Sequence, residues 1–415
     1  MSWPEVDFES LFAAPSRNGV YKSKDHHGSG VPIVNMGELF AFNRIGNQPM
    51  SLIRMSDAEM DKSGLMDGDL LFGRRSLVEE GAGKCSIVYK PAGPLTFESS
   101  IIRVRLNRAI ADPEFFFNYF RSPIGRSRIR AIVGGAAVKG IRGSDLKLIK
   151  VHVPPIDEQI AIRQVVALYD DLITTNQRRI ALLEDAARRL YREWFVHLRF
   201  PGHESVPVKD GVPEGWRKQT LASVADVNAR SIGARDKPDS VLYIDISSVS
   251  TGLIGEVTPY AFADAPGRAR RRVDHGDVIW SCVRPNRRSY ALIWEPDEKL
   301  VASTGFAVLS AISVPFSYLY FTTTTDDFVG HLEQNATGAA YPAVTAKTFE
   351  DAEILVPEGD TLAAFDQVAL PQLEQMETLK KQNRSLAQAR DLLLPKLMSG
   401  QLDVSGIALL DEVAA

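Results

Sequence analysis

Two stretches of this chain concentrate residue types that bind phosphate. Between Arg121 and Lys150 lie Arg121, Arg126, Arg128, Arg130, Lys139, Arg142, Lys147 and Lys150, against the single acid Asp145. Between Asp264 and Arg288 lie Arg268, Arg270, Arg271, Arg272, Arg284, Arg287 and Arg288, against Asp264, Asp274 and Asp277. The whole chain has 48 bases and 52 acids, a formal net charge of −4, so these are local patches and not a generally basic surface. By contrast, Glu350 to Leu379 holds eight acids and no base. Arginine prevails in both patches, and its planar fork suits phosphate and the major-groove edge of guanine. A solvated surface that merely balances acids elsewhere is the competing reading.

Catalytic patterns do not hold. Gly83-Lys84-Cys85 resembles the end of a P-loop, but no Ser or Thr follows Lys84 and the upstream glycine is missing. Asp69 and Asp277 follow glycines without partner carboxylates at metal-site spacing. The one Pro-Pro pair, Pro154-Pro155, lacks the acid or amide before it and the aromatic after it that an adenine methyltransferase loop requires. In Pro296-Asp297-Glu298-Lys299 the carboxylates lie too close in sequence for a strand-borne nuclease site. Two isolated cysteines, Cys85 and Cys282, and seven scattered histidines give no zinc spacing. The expectation is a chain with no catalytic, metal or cofactor site of its own. At 45% hydrophobic and 24% charged residues, it is expected to be globular and not disordered. An acidic start and the lack of any apolar run of about 18–20 residues predict a soluble, cytoplasmic protein without a membrane span.

The elements that position the patches occur twice. Gly134-Gly135-Ala136-Ala137-Val138 matches Thr337-Gly338-Ala339-Ala340-Tyr341 at an offset of 203, and Val151-His152-Val153-Pro154 falls on Ile354-Leu355-Val356-Pro357. Upstream, Asp67-Gly68-Asp69-Leu70-Leu71 matches His275-Gly276-Asp277-Val278-Ile279 at an offset of 208. The difference of five residues is loop length, which loops tolerate. Each half mixes short strand-like runs with a helical stretch, and each then ends in a long helix. The first seam reads Ile162, Val166, Tyr169, Ile173, Asn176, Ile180, Leu183, Ala187, Leu190, Trp194, alternating steps of four and three. The second reads Phe365, Ala369, Gln372, Met376, Leu379, Asn383, Leu386, Leu393, Leu397, with Arg390 where an apolar residue is due and Ala389 as its substitute. That heptad rhythm predicts two helices packed antiparallel on each other, with Asn176 as a polar register residue. Pro371 predicts a kink or a late start of the second helix. Packing of each helix on its own domain is the alternative.

The stretch Val153-Pro154-Pro155-Ile156-Asp157-Glu158-Gln159, with Leu190-Tyr191-Arg192-Glu193-Trp194-Phe195, resembles the central conserved region of type I restriction–modification specificity (S) subunits. Leu392-Leu393-Leu394-Pro395-Lys396-Leu397-Met398-Ser399-Gly400 resembles their second conserved region, and Gly215-Trp216 the start of their second recognition domain. The N-terminus departs from the pattern by lacking such a Gly-Trp pair, and Pro357-Glu358-Gly359-Asp360 is degenerate beside its counterpart.

The resemblance implies an α/β protein with two duplicated target-recognition domains separated by two long antiparallel coiled-coil helices. Its parts would be recognition domain 1 (residues 1–153), a central conserved helix (154–197), a linker (198–214), recognition domain 2 (215–356), a C-terminal conserved helix (357–400) and a tail (401–415). It further implies a non-catalytic reader of bipartite double-stranded DNA in phage defence. The helices would act as a ruler and recruit two methylation subunits and the restriction subunits. S-adenosylmethionine, ATP and Mg would reside on those partners. A two-domain coiled-coil scaffold that binds no DNA is the other function class. For DNA contact the expected residues are Arg74, Arg75, Lys139 and Arg142 in the first half. In the second they are Arg284, Asn286, Arg287, Arg288, Tyr341 and Lys347. The expected helix and subunit interface comprises Ile162, Val166, Tyr169, Ile173, Asn176, Ile180, Leu183, Leu190, Met376, Leu379, Leu386 and Leu393.

Overall fold

A computed structural model describes residues 3–136, 138–233, 235–236, 238–402 and 404. The chain divides into two compact units, Met1–Thr174 with Asn383–Ala415, and Thr175–Gln382. The division runs through both long helices, so each unit takes a segment of each.

In the first unit the central sheet has the order Phe12–Asn18, Ile101–Leu106, Leu70–Gly73, Cys85–Val88, Arg44–Ile45. Its two faces meet different cores. Leu70, Phe72, Ile102 and Val104 pack with Phe8, Phe115, Phe116 and Phe120, whereas Leu71, Val88 and Ile101 pack with Val34, Leu39 and Phe97. Burial on both faces explains why Leu70–Gly73 and Cys85–Val88 are buried at every position and show no polar alternation. Helix Pro113–Arg121 starts where Asp112 accepts the Phe115 N–H at 2.8 Å, with proline in its first turn.

The second unit has two four-stranded sheets. One runs Ala225–Val227, Phe306–Ala311, Val278–Ser281, Tyr290–Leu292, and the other Thr258–Ala261, Ser240–Ile244, Leu300–Ser303, Ala269–Arg272. Its largest core gathers Trp280, Tyr318, Phe321 and Phe365 with Tyr191 and Phe195.

The duplication shows in matching details. Strand Glu5–Asp7 pairs antiparallel with Lys150–His152, and Arg217–Thr220 pairs antiparallel with Glu353–Val356. Val6 lies opposite Val151 and Gln219 opposite Ile354, so Trp3 stands where Trp216 stands in the second half. The tryptophan that the N-terminus lacked by motif is therefore present without its glycine. Asp69 and Asp277 close the same turn. Each accepts the N–H three residues before it at 2.8 Å, beside a glycine at φ 85°, and each pairs with an arginine, Arg105 or Arg230. Both carboxylates are thereby structural.

The long helices span Ile156–Tyr191 and Gly359–Met398, 36 and 40 residues. Within the first unit, Ile162 and Val166 share a core with Leu394, Leu397 and Met398. Within the second, Ala187 and Tyr191 share one with Phe365 and Ala369. Rising numbers on one helix meet falling numbers on the other, which is antiparallel packing. Of the two effects expected at Pro371, a kink or a late start, the late start does not occur: the helix begins at Gly359 and continues without a break through that position. Pro371 and Gln367 are exposed, so the Gln367 carbonyl that loses its N–H partner can bond water.

The seam also differs in detail. Leu373 and Leu394 are buried deeper than Gln372 and Leu393. The terminal segments of this helix pack on an α/β domain as well as on the other helix, which widens the buried arc beyond a two-helix seam. In the middle Tyr169, Ile173, Ile180, Leu183 and Leu386 are half-buried. Leu190 is also half-buried, while Met376 and Leu379 are buried. Asn176 is buried and donates from Nδ2 to Gln382 Oε1 at 3.5 Å.

Arg390 keeps the seam position that Ala389 was expected to take. It donates to Asp170 Oδ1 at 2.7 Å, with the two side chains 20% and 16% exposed. Replacing Arg390 by leucine strands a largely buried carboxylate. We expect Arg390→Leu to cost about 2 kcal/mol in urea unfolding, below the ~3–5 kcal/mol of a fully buried broken pair because some solvent reaches the site. Adding Asp170→Leu should recover most of the loss.

Candidate nucleic-acid interface

Each half builds a small β-loop just before the strand that leads into its long helix. In the first, Gly134 and Gly140 exchange backbone hydrogen bonds, both 2.9 Å. Gly135 sits at φ 100°, where an added Cβ would meet the Val138 carbonyl oxygen at 2.2 Å, so only glycine fits. Strand Lys139–Gly140 then pairs with Arg75–Ser76, and the Ile141 N–H donates to the Arg74 carbonyl at 3.0 Å. This pairing brings Arg74, Arg75, Lys139 and Arg142 together from two distant segments. Among the described residues, none of these four side chains makes an ion pair or an intramolecular side-chain hydrogen bond. Ala137, between Gly135 and Lys139, lies outside the described residues.

The second half repeats the device. Thr337 and Ala343 exchange hydrogen bonds of 2.9 Å, with Gly338 at φ 102°. Arg284 N–H donates to Pro342 at 2.7 Å, and Val344 N–H to Cys282 at 2.8 Å. Arg284 and Arg288 flank the turn Pro285–Arg287, both left-handed at φ 54° and 52°. Non-glycine residues adopt that region at a cost and collect at functional sites. The Arg284 guanidinium lies 4.5 Å from the centre of the Tyr341 ring, a cation–π stack in which Tyr341 is 67% exposed. Asn286 and Arg287 are exposed beside it.

Two expected contacts are engaged elsewhere. Arg288 pairs with Asp326, and Lys347 with Asp351 at 2.6 Å, which raises the Lys347 pKa above its ordinary value through that hydrogen bond and charge. Lys347 is one helical turn from its partner, a short-range pair that the spacing alone could have revealed.

Most of the charge that marks the first basic stretch is also consumed locally. Arg126 donates to the carbonyls of Glu80, Ala82 and Gly83. Arg128 pairs with Glu5, Lys147 with Glu9 and Lys150 with Asp7. Arg121 lies over the Phe117 ring, and burial lowers its pKa. The richest basic run is thus mainly scaffolding. Of this stretch, Arg130, Lys139 and Arg142 make no ion pair or side-chain hydrogen bond among the described residues; Arg130 ends helix Pro123–Arg130, and the other two lie on or beside the β-loop. Arg74 and Arg142 line an open cleft of about 480 Å³ with Arg17, Ser16 and Ser144. Arg17 went unnoticed in the sequence because it stands alone on its strand, 57 residues before Arg74.

Residues 3–185 match the family of type I restriction modification DNA specificity domains. That match covers the first half of the chain, into the central long helix. A specificity subunit of the type I restriction enzyme MjaIX of Methanocaldococcus jannaschii is 21% identical over 80% of this chain and 83% of its own. The specificity subunit of the type I restriction enzyme EcoKI of Escherichia coli is 31% identical over 40% of this chain and 36% of its own. In structure, the chain resembles the type I restriction–modification S subunit of M. genitalium, with a TM-score of 0.56, 15% identity and 96% of both chains covered. At that identity the likeness is one of fold. Among the described residues, no helix is long and apolar enough to cross a membrane, and no group of three or more His, Cys, Asp and Glu could hold a metal ion.

Proposed function

We propose that this chain is a type I restriction–modification specificity subunit that reads a bipartite double-stranded DNA target, one element per half, without catalysing a reaction itself. One observation carries the reading. The two β-loops are built alike at equivalent positions of the duplication, and each gathers cationic or aromatic side chains, several of them unengaged. A duplicated reader matches a split target as dimeric readers match two half-sites. Two methylation subunits and the restriction subunits would assemble on the chain and bring S-adenosylmethionine, ATP and Mg. The cytoplasm is where that target lies.

The test is alanine at Arg74, Arg75, Lys139 and Arg142 together, with duplex binding measured across a salt series. Residues on phosphate should weaken every duplex alike and lower the salt slope by about one each. A residue on a base edge should relax one motif position at about 1–3 kcal/mol. Unchanged binding by the quadruple variant would leave the scaffold reading standing.

A further inference from the structure

Strand Ile101–Leu106 carries arginine at alternate positions, Arg103 and Arg105, on one face of an otherwise apolar strand. Across the ladder, Arg103 stands directly opposite Arg17. Like charges in that relation destabilise a sheet pair. The obvious counter-charge is taken: Asp69 is gripped by Arg105 through two hydrogen bonds, both 2.7 Å. Arg103 is 4% exposed, and its Nε has no hydrogen-bond partner. Among the described residues its one side-chain hydrogen bond runs from Nη1 to the Gly64 carbonyl at 3.3 Å. Arg17 is exposed and, among the described residues, makes no ion pair or side-chain hydrogen bond. Burial, with the nearby charge of Arg105 and less strongly that of Arg17, pushes the Arg103 pKa below its ordinary value, although the Asp69 charge opposes the shift. A guanidinium remains charged nonetheless.

A buried cation facing a second cation, with no carboxylate of its own, is a costly arrangement that a bound anion would offset. The two arginines border an open cleft of about 330 Å³ with Arg105 and Lys62, where Asp61 is the only acid in the lining. Arg17 also lines the neighbouring cleft that holds Arg74 and Arg142. The clefts therefore share Arg17; the acid lining the first, Glu9, is paired with Lys147, so bases prevail in both linings.

We infer that Arg17 and Arg103 clamp a backbone phosphodiester of the bound DNA, at a site next to the β-loop and in addition to it. The inference rests on the DNA-reading function proposed above. The contact carries no sequence information. It fixes the register of the first half on the duplex while the loop meets the bases.

The experiment uses the full-length chain, with Arg17→Gln, Arg103→Gln and the charge-keeping Arg103→Lys. Two duplexes, one with the methylated motif and one without, are titrated from low to physiological salt. Arg17→Gln and Arg103→Gln should each weaken both duplexes by a similar factor, roughly ten-fold, and each should lower the salt slope by about one. Arg103→Lys should keep the slope. Should Arg103→Gln fail to fold, Arg17→Gln decides, since its side chain lies at the surface. Wild-type binding with unaltered affinity and slope in Arg17→Gln overturns the clamp and leaves the DNA reading intact. A wild-type chain that binds neither duplex overturns both. Thermal stabilisation by inorganic phosphate that is lost in Arg17→Gln, with an unaltered DNA slope, would make the site one for a free anion and overturn the phosphodiester assignment.

Discussion

On the proposed function, exchanging residues 215–356 for the matching segment of a type I specificity subunit should change one half of the methylated DNA motif and leave the other half and the spacer length as they were. The reason lies in how the second half closes on itself. Strand Arg217–Thr220, at the start of the segment, pairs along its whole length with Glu353–Val356, at the end. The termini of the exchanged piece are thus hydrogen-bonded neighbours, and an insert with the same paired strands closes without pulling on the rest of the chain. The basic turn Arg284–Arg288 and the loop with Tyr341 travel inside the segment, so every proposed contact of that half is replaced together. The readout is the methylated sequence in host DNA before and after the exchange. An assembled, active chimaera in which both half-sites change would refute independent reading. One in which neither changes would refute the assignment of recognition to this segment.

The largest expected loss of stability comes from one aromatic residue. Phe365→Ala should destabilise the chain by about 3–5 kcal/mol in urea unfolding, because it deletes a fully buried ring from a core that cannot collapse around the gap. Phe365 is 0% exposed. Its ring centre lies 5.0 Å from that of Phe195, 6.0 Å from Tyr191, 6.1 Å from Trp194 and 6.1 Å from Phe321. The C-terminal helix here meets both the end of the central helix and the second α/β domain through this one side chain. Loss of the ring should therefore loosen the helix pair as well as the domain. Leu392, 72% exposed on the same helix, is the control: its alanine variant should cost less than about 0.5 kcal/mol. A Phe365→Ala loss as small as that of Leu392→Ala would show that the aromatic cluster does not hold this unit together.

Much of the architecture was legible in the order of residues because it rests on local rules. A heptad seam depends only on spacing along one helix, so the two long helices and their mutual packing could be read directly. The duplication was legible because Gly135 and Gly338 answer to the same backbone demand, a left-handed turn that only glycine meets without strain. The turns around Asp69 and Asp277 repeated for the same reason.

What the order of residues left open depends on partners far apart in the chain. Arg126, Arg128, Lys147 and Lys150 look like binding residues in a basic run, yet the fold supplies each with an acceptor from the first 83 residues. Arg17 looks incidental and becomes prominent only when its strand is laid beside Ile101–Leu106. Arg390 reads as a flaw in the seam until Asp170 is seen opposite it. Pro371 reads as a break until it and Gln367, four residues before it, prove to be exposed. The sequence by itself determined the two-fold repeat, the paired helices and the two basic regions, since periodicity and glycine geometry act over a few residues. Apart from short-range pairs such as Lys347 with Asp351, which charges stay unengaged was decided by the tertiary structure, because a charge is neutralised by whatever lies within about 4 Å of it in space, however far away along the chain.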